Sequence, residues 1–309
     1  MLESRTAASL ALLLALDVSG GARAQPAEIA NKDVYVIAEE LADEVELIRE
    51  VMGRPYDESP RLPVAGVSIA EVFFQAQTLL RKSNQLAREI AGAGGVTPPG
   101  APQDREMRAA DIYTLVAAAL EQVRLVRAEL GITEAVVPHP RDTDIAPTGL
   151  FSTIIDSNRQ LNLLLSNTIT SADVYEEISF AVIYAAGMLA ARAPGGAVRE
   201  APFEGPKRPA DVYARLLECI DIVSRLAARH GVSVLSLSSR RNVPDDVEPG
   251  HVYDVANIIV ADLAVLAKAL DARSARAELG PTPKHIFPSH VYQRAGTLKS
   301  QLEALEAAR

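Results

Sequence analysis

Apolar residues recur along this chain at alternating steps of four and three, the period that lines one face of an α-helix. One stripe is Ile112, Val116, Ala119, Val123, Val126 and Leu130, and a second is Val212, Leu216, Cys219, Val223 and Leu226. A third is Val252, Ala256, Ile259, Leu263, Leu266 and Leu270, and a fourth is Val291, Ala295, Leu298, Leu302 and Leu305. Stripes of this width predict core-facing helices of a bundle. Each starts one residue before an aromatic, inside a short recurring motif. The motif reads Asp33-Val34-Tyr35, Glu71-Val72-Phe73, Asp111-Ile112-Tyr113 and Gly149-Leu150-Phe151 in the first half of the chain. In the second half it reads Asp173-Val174-Tyr175, Asp211-Val212-Tyr213, His251-Val252-Tyr253 and His290-Val291-Tyr292.

The motif opens helices for a physical reason. Pro147, Pro209, Pro249 and Pro288 stand four residues ahead of the aromatic, and Ser171 takes that place once. Proline suits a first helical turn, where its missing N–H has no intrahelical partner to lose, and serine is a good N-cap. The acid of the motif then sits where the helix dipole favours negative charge. Helices are therefore expected near 33–52, 69–91, 107–130, 148–166, 172–193, 209–231 and from 249 past 271 toward 279, with the last running to the C-terminus. Val232 to Leu237 alternates and predicts a short strand.

The aromatics of the second half follow those of the first at offsets of 140, 140, 140 and 141 residues. Linker prolines recur too: Pro55 with Pro194, Pro63 with Pro202, and Pro138-His139-Pro140 with Pro281-Thr282-Pro283. The expected fold is all-α, a tandem duplication of a four-helix unit with long Pro-rich linkers, forming a bundle or array. The units span 25–167 and 168–309. Linkers of about fifteen residues reach about 50 Å, more than the roughly 30 Å of a twenty-residue helix, so helices within a unit can be parallel or antiparallel. The short turn near 167–171 predicts that helices four and five are antiparallel neighbours joining the units.

Residues 1–24 read as a secretory signal: Arg5, an apolar run over 7–16 too short to span a bilayer, and Ala22-Arg23-Ala24 as the cleavage pattern. The expected mature chain starts at Gln25 in the periplasm or outside the cell, with no membrane span. The 309 residues carry a net charge of −9 with no basic block, which argues against nucleic acid as a partner. A periplasmic or envelope protein is the expected partner. The lone Cys219 lies in an apolar stripe and reads as a small core residue.

Tyr113, Tyr175, Tyr213, Tyr253 and Tyr292 are candidate ligand-binding residues, since aromatics at helix N-termini could line a cleft in which free N–H groups bind an anion. The alternative is a packed ring whose hydroxyl reaches a linker backbone group or water. His251 and His290 replace the acid of the motif, and with His285 they are the candidate metal ligands; a neutral, hydrogen-bonded ring in the first turn is the other reading. Glu39, Glu40, Asp43, Glu44 and Glu46 read as a solvated face. No nucleophile elbow, zinc-protease, haem-attachment or phosphate-loop pattern occurs, and no cofactor is implied. The expected function is that of a non-enzymatic exported binding or scaffold protein. The alternative is a small-molecule or metal-ion binding or sensor module with its site between helices.

Overall fold

The computed structural model describes residues 28–56, 64–102, 105–140, 145–165, 169–192, 200–237, 247–272 and 282–308. The expected signal segment, the linker prolines 63, 194 and 281, and the span 273–281 lie outside the described residues.

The fold is all-α. Among the described residues there are eight helices: α1 Asn31–Val51, α2 Ile69–Ala91, α3 Ala109–Glu129, α4 Pro147–Leu164, α5 Ser171–Arg192, α6 Pro209–Arg229, α7 Pro249–Ala269 and α8 Pro288–Ala307. Two two-residue strands, β1 Val64–Ala65 and β2 Ser236–Leu237, pair antiparallel. The predicted stripes are the core: Ile112, Val116, Leu216, Cys219, Ile259, Leu263, Ala295 and Leu298 are all buried. Helix α7 stops at Ala269 rather than running toward 279. Asp271 turns into the left-handed region at φ 50° and the Ala272 amide closes back on the Ala267 carbonyl, which ends the helix.

Helices α1 and α2 each pack on both α3 and α4; helices α5 and α6 each pack on both α7 and α8. The same four pairings thus occur in each half. Within a half the helices run parallel. In the second half, Ser171, Pro209, Pro249 and Pro288, the starts of all four helices, meet around one small apolar pocket with Val174, Val212, Val252 and Val291. Contacts further along keep step: Cys219 Sγ faces the Ala295 carbonyl at 3.9 Å and Arg225 meets Glu306 at 2.7 Å. In the first half, Thr153 on α4 bonds Glu39 on α1 at 2.9 Å, and Arg127 on α3 bonds Glu44 on α1 at 2.7 Å. The long linkers are therefore return paths from the end of one helix to the start of the next.

The joint between the halves differs from the expected one. Helices α4 and α5 run in opposite directions, but the joint is made by α2 against α7, with a lesser contact of α4 on α7. Along that joint Glu71 approaches Asp262, Thr78 bonds Asn257, and Lys82 lies near Asp254, so α2 and α7 are antiparallel. The short α4–α5 connection fixes this arrangement. It sets the far end of the first bundle beside the near end of the second, which leaves two parallel bundles pointing in opposite directions.

Cys219 is fully buried, and burial pushes its thiol up to about 12. Its replacement by alanine is expected to cost about 1 kcal/mol in denaturant unfolding. Thiol reagents should label the native protein no faster than it unfolds; rapid labelling would show that the parallel core is wrongly assembled here.

Candidate functional site

Seven of the eight helices carry an acceptor at their third residue that takes the amide of the residue before the helix. Asp33 accepts from Ala30 at 2.9 Å, Glu71 from Ser68 at 2.8 Å, Asp111 from Arg108 at 2.9 Å, Asp173 from Thr170 at 2.7 Å and Asp211 from Arg208 at 2.7 Å. His251 Nδ1 does the same for Glu248 at 3.1 Å, and His290 Nδ1 for Phe287 at 3.2 Å. Nδ1 must be unprotonated to accept, so both rings are neutral in this bond and replace the acid group for group. His285 is exposed, and no group of three His, Cys, Asp or Glu suited to a metal occurs among the described residues. His251 and His290 thus make the first-turn hydrogen bond that is the other reading of these two rings. These bonds occupy the amide just ahead of each of these helices.

The tyrosines do not share a cleft. The pocket where the second-half helices begin is lined by the apolar residue ahead of each aromatic, not by the aromatic itself. Tyr175 accepts a hydrogen bond from Arg294, whose guanidinium also lies 4.6 Å from the ring centre. Tyr292 accepts from Arg215, which stacks 3.3 Å from its ring centre, with Lys207 at 4.2 Å. Tyr253 donates to Glu177 at 3.3 Å. Tyr213 is buried near Arg159 and Asp254, and Tyr113 is half-buried. The hydroxyls of Tyr175, Tyr253 and Tyr292 thus reach side chains on neighbouring helices. The acidic face of α1 is also not solvated throughout. Glu44 is 2% exposed and paired with Arg127, Glu40 pairs with Arg124, and Asp43 with His139 at 2.7 Å.

A buried polar cluster lies where α2, α4, α5 and α7 meet, and the apolar stripes give no sign of it. Lys82 is 4% exposed and donates to the Asn158 carbonyl at 3.0 Å. Asn158 Nδ2 donates to the Gln75 carbonyl at 3.1 Å. Asn257 donates to Thr78 at 2.7 Å, and Arg81 donates to the same hydroxyl at 3.1 Å. Asp254 lies 3.5 Å from Arg159 Nε, both buried. Gly250 faces Asn162 so closely that an added Cβ would lie 2.8 Å from its amide nitrogen, which keeps α7 tight on α4. Tyr213 and Tyr253 border the cluster; the other three candidate tyrosines do not enter it.

Several buried atoms here have no hydrogen-bond partner: Gln75 Nε2, both oxygens of Asp254, and the side-chain oxygens of Asn158, Asn162 and Asn257. Native cores rarely leave such groups unsatisfied, and each costs about 1–3 kcal/mol if it stays so. Burial pushes Lys82 down to about 8, with Arg159 and Arg81 adding to the fall and Asp254 opposing it. Glu177 is shifted up, chiefly by burial and against the field of Arg81. A signal for the cluster did exist in the sequence. Gln75, Thr78 and Lys82, and likewise Asp254 and Asn257, follow helical spacing on the side of each helix next to its apolar stripe.

Two outcomes follow. His290→Asp should keep the melting temperature, while His290→Ala should lose about 1 kcal/mol, and a chelator should change neither. Lys82 releases its proton more easily folded than unfolded. The unfolded chain therefore binds more protons between pH about 8 and about 10.5, and stability rises with pH across that window by about 3 kcal/mol. Unfolding measured against pH should show this rise in the native chain and lose it in Lys82→Met; an equal rise in both would contradict the assignment. No family model matches the chain, and no curated protein or solved structure is significantly similar to it, so its functional reading rests on the geometry of this cluster.

Proposed function

We propose that the chain is a non-enzymatic, exported binding protein whose ligand is a small polar molecule taken up between the two bundles. The observation that carries this is the set of buried, incompletely partnered polar groups on α2, α4 and α7. A permanent structural joint is favoured by apolar packing, because buried polar groups stabilise less than well-packed hydrophobic ones. Ligand sites, in contrast, are common at the interface of two units and carry a few convergent polar groups. The chemistry of the cluster favours a zwitterion such as a free amino acid. A carboxylate would complement Lys82, which Asp254 compensates only in part; an ammonium or hydroxyl donor would serve the open side-chain oxygens of Asn158 and Asn257 and add to the Asp254–Arg159 pair. Entry requires the bundles to part along α2 and α7.

Export rests on the N-terminal pattern at 1–24, and mature protein beginning at Gln25 is part of the proposal. The matching helix pairings in both halves support a tandem duplication. Helix α5 is long and apolar enough to cross a membrane, but α7 and α8 pack on it and it carries buried Glu177 and Ser179, which favours a core helix. A second reading, a scaffold for a protein partner, draws on Phe203 and Phe287. They are 55% and 60% exposed, and each lies against His290.

The test is thermal melting against free amino acids and small hydroxy acids. A ligand present at a hundred times its Kd should add about 2.7 kcal/mol to stability. Lys82→Met should remove the shift. Indifference to the whole panel sinks the small-ligand reading, and loss of a captured envelope protein on Phe203→Ser would favour the scaffold instead.

A further inference from the structure

Two buried carboxyl groups, one from each bundle, meet at the opposite end of the α2–α7 joint. Glu71 is 1% exposed and Asp262 has no exposure. Glu71 is surrounded by donors. Its Oε2 accepts from the Ser68 amide at 2.8 Å and from the Ser68 hydroxyl, and its Oε1 accepts from the Leu235 amide at 3.1 Å. Leu235 belongs to the α6–α7 linker, is itself fully buried, and directly precedes β2, which pairs with β1 just ahead of α2. Glu71 thus fastens a linker of the second bundle to the first helical turn of α2.

Asp262 is the opposite case. No donor reaches either of its oxygens in good hydrogen-bond geometry; its carboxyl lies within bonding range of the Glu71 carboxyl, with the Leu235 amide beside both. A carboxylate cannot donate, so one of the two groups must hold a proton. Glu71 is already committed as an acceptor, which leaves Asp262 as the donor. We propose that Glu71 and Asp262 form a proton-held latch between the bundles, and that loss of the proton frees Leu235 and the β1–β2 pair.

The physics is that of two carboxyl groups sharing one site. Both cannot be ionised without water or a cation to separate their charges. Burial first, and then the charge of Glu71, holds the Asp262 carboxyl well above the usual carboxylate range, with the Leu235 amide opposing weakly. Other charged groups around α7 are engaged elsewhere. Asp254 with Arg159 of α4 and Lys82 of α2, and Tyr253 with Glu177 of α5, lie about 12 Å along the helix. On α6, Asp221 lies beside Arg225, and Arg225 and Arg229 pair with Glu306 of α8. The sign is fixed. The folded state holds the proton more tightly than the unfolded chain, so the latch is full strength at low pH. It weakens as pH rises above the ordinary aspartate value toward the raised one. The latch does not depend on a ligand in the polar cluster.

Infrared spectroscopy and hydrogen exchange of the full chain test this. The native protein should show a protonated carboxyl C=O band at neutral pH that is missing in Asp262→Asn. Exchange protection at Leu235, Val64 and Ala65 should fall from mildly acidic to mildly alkaline pH in the native chain and stay level in Asp262→Asn. If that variant does not fold, Glu71→Gln serves: its amide can accept from Leu235 and donate to an ionised Asp262, so the band should again be lost. A native protein with no such band, or a band unchanged by both substitutions, overturns the proposal. So does an equal fall of protection in native and variant chains.

Discussion

The hydrogen bond from the amide ahead of each helix to an acceptor at its third residue is the constraint on which the architecture depends. Parallel helices set their dipoles side by side, with four positive ends together, an arrangement that opposes itself electrostatically. An acid at the third residue offsets part of that field and fixes where the helix begins. Asp33, Glu71, Asp111, Asp173 and Asp211 do both. His251 and His290 supply the bond without the charge. Arg49, Arg88, Arg127, Arg192, Arg229 and Lys268 stand at the opposite ends, where the dipoles favour cations. Because every start in a bundle lies at one end, the chain must travel back after each helix, and the long linkers are the consequence.

From the bundles follows the joint. A short connection after α4 leaves no room to return, so the second bundle starts where the first one ends and points the other way. Helices α2 and α7 then pack antiparallel, with the Glu71–Asp262 pair at one end of their contact and the cluster of Lys82, Asn158, Arg159 and Asp254 at the other. The joint also breaks the likeness of the halves. The counterpart of the α2–α7 contact would be α6 against α3, which do not form a joint of this kind. Polar residues specialised for it, such as Gln75, Thr78 and Asn257, consequently have no equal at the corresponding positions Arg215, Glu218 and Ala117.

The apolar periodicity carried the fold class and the helix starts, because a stripe and a cap are local properties of a sequence. Parallel direction was not legible: a fifteen-residue linker permits either sense, and it is decided by which residues meet, Pro209, Pro249 and Pro288 in the second bundle and Thr153 with Glu39 and Arg127 with Glu44 in the first. The candidate site was legible only in fragments. Its residues come from four helices whose neighbours in space are set by the joint, and Lys82 or Asp254 alone reads as an ordinary surface charge. The histidines at 251 and 290 were open to two readings, and their hydrogen bonds are those of a capping ring. A position that favours an acid need not signal a metal when histidine replaces it, since Nδ1 can accept the same amide.

Parallel direction within a bundle is the claim from which the joint and the cluster both follow, and pairwise spin-label distances test it most directly. In a Cys219→Ala background, one label at Ala228 near the end of α6 pairs with a second at Glu303 near the end of α8, or at Phe287 just ahead of α8. Parallel helices place 228 close to 303 and about one helix length, roughly 30 Å, from 287. The reverse, a short distance to 287 and a long one to 303, would mean antiparallel helices and would contradict the account.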